Sequence, residues 1–237
     1  MGDVRIRLLQ GVVLLIIVRL GMRLVPKFRA SQQIGQGRYA LARVYLERVV
    51  ACPASWLHLP WIGVTPDLHL WCAFNLAVCD VEEGHFDDAI ARLRPLRTRD
   101  RMLADAVEAT LGLAVLLAEK NAGEAREHLE RVVGRRGTTN LVLLLSHALL
   151  SEGDAVAAHA MFMTSSRAAP RSIRWCAFVR FESIPRAPFT EALLRGWFLF
   201  RTGEREQARP LLARASTCRV PNLFSRMAVE IAGTAAL

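Results

Sequence analysis

The chain has 237 residues, of which 52% are hydrophobic and 22% are charged. This size and composition fit one domain or a short array of repeats with a sizeable core, and they exclude a disordered tail or a small disulfide-stabilised domain. Only two of the 31 basic residues are lysine, so a general preference for arginine explains the net charge of +9 better than a nucleic-acid partner does. No nucleic-acid partner is therefore expected.

The N-terminal segment has the longest apolar run of the sequence. From Leu8 to Val18 it reads LLQGVVLLIIV, and it continues as RLGMRLV before a proline ends the helix. A bilayer span needs about 20 residues, so this span is complete only if Arg19 and Arg23 extend their guanidinium groups to the headgroup layer. We predict an N-terminal hydrophobic helix over residues 1–25 that anchors the chain in a membrane. The alternative is a helix that packs on the following domain.

Basic residues on the two sides of this run predict its orientation. Arg19, Arg23, Lys27 and Arg29 follow the run, whereas only two arginines precede it, so the positive-inside rule places the bulk of the chain in the cytoplasm. The five cysteines are odd in number and have no metal-ligand spacing, which is typical of reduced thiols. The expected localisation is therefore a membrane-anchored protein with its repeat domain in the cytoplasm; the alternative is a soluble cytoplasmic protein.

A degenerate repeat runs through the rest of the chain. In four of the five copies a turn glycine precedes an alanine by five positions, and in all five a large apolar residue follows the alanine by four. In the third copy Lys120 and Asn121 take the place of the glycine. The glycines are Gly37, Gly84, Gly153 and Gly203, the alanines are Ala42, Ala89, Ala125, Ala158 and Ala208, and the large residues are Leu46, Leu93, Leu129, Phe162 and Leu212.

This pattern predicts antiparallel helix pairs. A small residue lets two helices approach closely, the glycine takes the tight turn, and the large residue fills the seam between the helices. One pair cannot bury its own apolar face, so the pairs must stack. The fold class is therefore all-α, with about five helix pairs.

One copy in particular carries a family resemblance. It has Ala77 on the first helix, Gly84 and Phe86 in the turn, and Ala89 with Leu93 on the second helix. With these residues the chain resembles the tetratricopeptide repeat (TPR) family, whose helix-turn-helix repeat has about 34 residues. The repeats are degenerate, and the chain is similar to a bacterial membrane-anchored TPR-like protein.

The resemblance implies a TPR-like helical-hairpin solenoid over residues 26–237. The uneven spacing of the copies predicts irregular insertions at 51–68 and 171–188, and the segment after Pro221 predicts a C-terminal capping helix. The first insertion places three prolines around Trp56 and Trp61, so we expect a stiff apolar loop covered by the solenoid, the bilayer surface or a partner. The predicted membrane-proximal residues are Arg19, Arg23, Lys27, Arg29, Trp56 and Trp61.

No catalytic motif or metal-ligand cluster is evident, so we predict a non-enzymatic protein without a metal or cofactor. Adjacent carboxylates occur on both sides of the turn at Gly84, where helix ends explain them. Two runs of arginine also fall at helix ends, where they are expected to be solvated, or to contact acidic lipid headgroups if they face the membrane. These runs are Arg92, Arg94, Arg97, Arg99 and Arg101, followed by Arg131, Arg135 and Arg136.

The resemblance also implies a concave groove lined by the first helix of each pair, where partners bind. The predicted function is a protein-protein interaction scaffold on the cytoplasmic face of a membrane, holding an apolar or amphipathic segment of an unknown protein partner in this groove. Alternatives are a soluble TPR-like adaptor whose N-terminal helix caps the solenoid or drives self-association, and burial of the groove residues as core. The predicted groove residues are Trp71, Phe74, Val78, Asn140, His147, Trp197 and Phe200, with Leu143 and Leu193 in the same two later copies and Glu108, Leu111 and Val115 in the poorer third copy.

Overall fold

The computed structural model describes residue 25 and residues 28–51, 68–136, 138–165, 187–218 and 222–235. Within these residues the chain forms eleven helices and no strands, which confirms the all-α prediction. The helices are α1 (28–35), α2 (Tyr39–Ala51), α3 (Leu68–Glu83), α4 (Phe86–Leu93), α5 (Arg101–Leu117), α6 (Ala122–Arg136), α7 (Thr139–Glu152), α8 (Ala155–Ser165), α9 (Ala187–Arg201), α10 (Arg205–Ser216) and α11 (Leu223–Ala235).

Adjacent helices pack as pairs, and successive pairs contact each other, as in a helical solenoid. The pairs are α3 with α4, α5 with α6, α7 with α8, and α9 with α10, and α2 packs on α3. The first helices of the last three pairs also touch in order, α5 with α7 and α7 with α9. Most of the two predicted insertions, residues 52–67 and 171–186, lies outside the described residues.

The turn inside each pair has the backbone conformation that the repeat requires. Gly37, Gly84, Gly153 and Gly203 have φ between 71° and 92°, a left-handed conformation that a residue with a Cβ atom rarely adopts. The third copy also has a left-handed residue, Glu119 with φ 55°, one position before the predicted turn. The turn glycines of the repeat are therefore confirmed, and glutamate takes this role in the copy without glycine.

The seam between paired helices is built from small residues facing large ones. The five repeat alanines are at most 1% exposed, and four of the five large residues are buried, Phe162 being the half-buried one. A second small residue lies seven positions before each left-handed turn residue, on the first helix, and is buried in all five copies. These residues are Ala30, Ala77, Gly112, Ser146 and Gly196.

Gly112 shows why this position must be small. A Cβ atom on Gly112 would lie 2.8 Å from Cγ of Leu129, the large residue of the paired helix. Gly196 repeats the arrangement, since its Cβ would lie 3.0 Å from Cγ of Leu212. In both pairs a glycine on the first helix makes room for a leucine on the second.

Gly112→Ala is expected to lower the free energy of unfolding by about 1 kcal/mol. Overpacking costs about 1–3 kcal/mol, which outweighs the gain of about 1 kcal/mol in helix propensity. Gly134→Ala is the matched control, because nothing lies within 4 Å of a Cβ atom at that exposed position of α6, and it should stabilise the chain. Urea denaturation of both variants measures the difference, and stabilisation by Gly112→Ala would contradict the seam.

The last helix closes the stack onto an early one. The backbone N–H of Leu223, at the start of α11, donates to Oε2 of Glu82 on α3 at 2.7 Å, and Arg226 donates to the carbonyl of Glu82. Asn222 and Ser225 cap the same helix end reciprocally, each backbone N–H donating to the other side chain at 3.0 and 2.7 Å. The segment after Pro221 thus forms the expected helix, and it contacts α3 as well as α9 and α10.

Among the described residues, none of the helices combines the length and apolar character needed to cross a membrane. The predicted anchor over residues 1–25 lies outside the described residues except for Val25.

Candidate partner-binding surface

The predicted groove residues divide into a buried and a half-buried group. Trp71 and Phe74 on α3 are 7% and 1% exposed, and His147 on α7 is completely buried. The leucines and the valine at four further predicted positions are also buried: Leu111, Val115, Leu143 and Leu193. Val78, Asn140, Trp197, Phe200 and Glu108 are half-buried.

Trp71 and Phe74 contribute to two different parts of the core. Trp71 packs in a cluster that includes Tyr39 and Leu46 of α2. Phe74 belongs to the central cluster, which extends to Phe198 of α9 and to Leu223 of α11. Both rings therefore stabilise the stack in this structure and offer little surface to a partner.

The structure brings two of the predicted residues, His147 and Trp197, into direct contact. Their rings stack with centroids 4.0 Å apart and an angle of 23° between the planes. Nε2 of His147 lies 2.9 Å from the carbonyl oxygen of Leu194, so this nitrogen carries the proton and donates. Its Nδ1 has no hydrogen-bond partner among the described residues. Burial lowers the pKa of His147 to about 3, so the imidazole is neutral at physiological pH.

Further aromatic rings extend this contact across three helices. Phe198 meets His147 edge-on at 5.8 Å and stacks on Phe162 of α8 at 4.4 Å. The guanidinium of the exposed Arg201 lies 5.6 Å from the centroid of the Trp197 ring. Trp197 therefore links the buried cluster between α7, α8 and α9 to the protein surface.

An ion-pair cluster joins α2, α3 and α4 at one end of these helices. Asp80 is 1% exposed and accepts from Arg43 at 2.7 Å and from Arg92 at 3.0 Å, and Arg43 also pairs with Glu83. Ligand atoms of Asp80, Glu83 and His85 lie within 4.8 Å of one another, a spacing that a metal ion could use. Because two guanidinium groups already neutralise the two carboxylates, this cluster fits an ion-pair network better than a cation site.

Three cysteines lie among the described residues, each with a reduced thiol. Cys72 and Cys79 are buried and Cys218 is half-buried. Burial raises the pKa of Cys79 to about 12, which keeps this thiol protonated and unreactive.

A cleft of about 510 Å³ opens between α4, the following loop, α5 and α6. Its apolar lining residues are Leu93, Leu96, Ala104, Val107 and Leu111, and its polar lining residues are Arg94, Arg97, Thr98, Glu108, Glu124, His128 and Arg131. A smaller cleft of about 210 Å³ adjoins it, sharing Arg94 and Glu124 and reaching Val115. The groove residues predicted in the third copy therefore line open clefts.

Ion pairs occupy both carboxylates of the larger cleft. Glu108 lies 2.6 Å from Nδ1 of His128 and 3.3 Å from Arg131, and Glu124 accepts from Arg94 at 2.8 Å. The arginine runs that the sequence predicts as solvated helix ends thus include many partners of carboxylates. Beyond the cleft, Arg92 pairs with Asp80, and Arg135 pairs with the buried Asp105 at 2.8 Å.

Most of the predicted membrane-proximal residues lie outside the described residues: Arg19, Arg23, Lys27, Trp56 and Trp61. Arg29 is described, and its guanidinium lies 5.9 Å from the centroid of the Tyr45 ring. The role of Glu82 is not evident from sequence, because its partners on α11 lie more than 140 residues away. The cleft is not evident either, and the arginine-rich loop after α4 is the one sequence feature that points to it.

No protein-family model matches this chain, and no curated protein matches it. The resemblance to tetratricopeptide repeats stays a prediction from the residue pattern.

Proposed function

We propose that this chain is a non-enzymatic interaction scaffold, tethered by residues 1–25 to the cytoplasmic face of a membrane, which holds an apolar or amphipathic segment of another protein. The observation that carries the proposal is that some predicted groove residues on the first helices are only half-buried. Each of α3, α5, α7 and α9 keeps at least one predicted groove residue half-buried, namely Val78, Glu108, Asn140 and Trp197. Of these four, Val78 and Trp197 are the apolar anchors that a partner segment could cover on a rigid stack. Asn140 offers a polar contact, and Glu108 is already paired with His128 and Arg131.

The tether supports the same function by confining the stack to a surface. The apolar run from Leu8 to Val18 and the basic residues after it are the sequence features that favour a membrane anchor. Confinement to a membrane raises the effective concentration of the stack near membrane-bound partners, so moderate affinity in the groove is sufficient.

A second candidate is a soluble adaptor whose N-terminal helix packs on the stack or joins two copies. Helices α1 and α2 carry exposed apolar side chains, since Phe28 of α1 is 69% exposed and Leu41 and Val44 of α2 are 51% and 44% exposed. A helix formed by residues 1–25, or the same face of a second copy, could cover them.

The experiment that tests these functions has two steps. In the first, the full chain and a chain lacking residues 1–25 are separated into membrane and salt-washed soluble fractions. If residues 1–25 anchor the chain, extraction of the full chain from the membrane fraction should need detergent, and the shorter chain should be soluble and helical. Recovery of the full chain in the soluble fraction would favour the adaptor.

The second step compares Trp197→Ala with Phe74→Ala in capture of the partner from a membrane extract. Trp197→Ala should weaken capture by roughly thirtyfold, because an aromatic anchor contributes about 2 kcal/mol or more. Phe74→Ala should instead lower stability by about 3–5 kcal/mol, since Phe74 is core. Val156→Ala, at an 83% exposed position on α8, is the control. Unchanged capture by a folded Trp197→Ala chain would contradict the groove.

A further inference from the structure

We infer that the larger cleft, between α4, α5 and α6, binds a partner segment in which a carboxylate side chain lies beside a large apolar one. The inference rests on the proposed function, whose partner it narrows from an apolar segment to an acidic and apolar one. It depends on the shape of the cleft, on its charge and on the position of Arg97.

The shape of the cleft suits a few side chains of a peptide. Its volume of about 510 Å³ lies in the range of ligand sites in proteins, roughly 300–1,000 Å³. Leu93, Val107 and Leu111 are buried and form the floor of the cleft, so the apolar surface that a ligand could cover belongs mainly to the half-buried Leu96 and Ala104. An apolar side chain of the partner would gain by leaving water here.

The charge of the cleft favours an anion. Three arginines and two glutamates line it, so the arginines outnumber the glutamates by one. Arg131 and Arg94 are paired with Glu108 and Glu124, so the surplus cation is Arg97. Among the described residues Arg97 has no carboxylate within ion-pair distance, and its contacts are to backbone carbonyls.

These contacts hold the Arg97 guanidinium in a way that suits a carboxylate. Its Nη1 donates to the carbonyls of Arg94 at 2.6 Å and Leu96 at 3.0 Å, which uses both hydrogens of that nitrogen. The Nε and Nη2 edge is left without a partner among the described residues. This edge carries two parallel N–H donors, the arrangement that binds both oxygens of a carboxylate. The two hydrogen bonds restrain the exposed Arg97 side chain, which reduces the entropy lost when a ligand binds.

An acidic peptide fits these features better than a polyanion does. A nucleic acid or a densely anionic lipid surface requires several unpaired cations. The cleft offers one unpaired cation, Arg97, and an apolar lining that such ligands would leave uncovered. A segment with one carboxylate beside leucine or phenylalanine would pair with Arg97 and cover the apolar lining.

The test uses the full chain in detergent and two fluorescein-labelled synthetic peptides. One peptide is composed of leucine, phenylalanine and aspartate, and the other has asparagine at each aspartate position. Fluorescence polarisation should show tighter binding of the aspartate peptide. Arg97→Gln should weaken that binding roughly tenfold, as expected for the loss of a charge-assisted pair. Arg99→Gln is the matched control, because Arg99 is exposed on the same loop but does not line the cleft.

Three results would overturn the inference. The first is equal affinity for the two peptides, and the second is an equal loss on Arg97→Gln and Arg99→Gln, which would indicate only the general charge of the loop. The third is that the chain binds vesicles of anionic lipid in a way that depends on Arg97 but does not bind the aspartate peptide. If peptides bind without a preference for aspartate, this inference fails but the scaffold function does not. The scaffold function is contradicted separately, by recovery of the full chain in the soluble fraction or by unchanged capture with Trp197→Ala, and neither experiment involves Arg97.

Discussion

Asp80→Ala is expected to lower the free energy of unfolding by about 3 kcal/mol. The carboxylate of Asp80 is buried and accepts from both Arg43 and Arg92, so its removal leaves two guanidinium groups without their shared partner. Breaking a buried ion pair costs about 3–5 kcal/mol, and the lower end applies because both arginines are partly exposed. Urea denaturation of the folded variant measures the change.

The control for this prediction is Asp87→Ala. Asp87 pairs with Lys120, and both side chains are mostly exposed. Exposed ion pairs contribute about 0–1 kcal/mol, so the control should change stability little. Equal effects of the two substitutions would show that the Asp80 cluster does not hold α2, α3 and α4 together.

Acid is expected to destabilise the chain through His147. Burial in the fold lowers the pKa of this imidazole from 6.5 to about 3; the hydrogen bond to Leu194 partly opposes this shift and the charge of Arg201 adds to it. Above pH 6.5 the imidazole is neutral in both the folded and the unfolded chain, so its contribution is complete. As the pH falls from 6.5 towards 3, only the unfolded chain takes up the proton. The free energy of unfolding therefore decreases by about 1.4 kcal/mol per pH unit over this window.

His147→Gln separates this effect from other acid-sensitive groups. The glutamine amide can donate to the carbonyl of Leu194 as Nε2 does, but it does not titrate. The stability advantage of the natural chain over the variant should shrink steadily between pH 6.5 and pH 4 in urea denaturation. A constant difference across this range would mean that His147 is accessible to protons in the folded chain.

The repeat turns and seams could be predicted from sequence because local chemistry dictates them. A left-handed turn favours glycine, and a close approach of two helices requires alanine, so Gly84 and Ala89 are recognisable at their fixed spacing. The small position on the first helix was harder to recognise, because alanine, glycine and serine all satisfy it, at Ala77, Gly112 and Ser146.

The division between core and surface could not be predicted. A large aromatic residue suits a core and an interface equally, and no local signal separates the buried Phe74 from the half-buried Trp197. Their burial depends on which distant helices contact them. The cleft likewise brings together residues of two pairs, such as Arg94 and Glu124, and spacing along the chain does not specify this pairing.

The contact between α11 and α3 changes how this stack is expected to unfold. In an open array each pair contacts only its neighbours, so the end pairs fray first and partly unfolded chains accumulate. Here Leu223 and Arg226 of α11 bind Glu82 of α3. Detachment of α11 therefore also removes hydrogen bonds from the pair of α3 and α4, which lies near the other end of the stack. Loss of either end then weakens the other, and this coupling favours a single cooperative transition over stepwise melting from the termini.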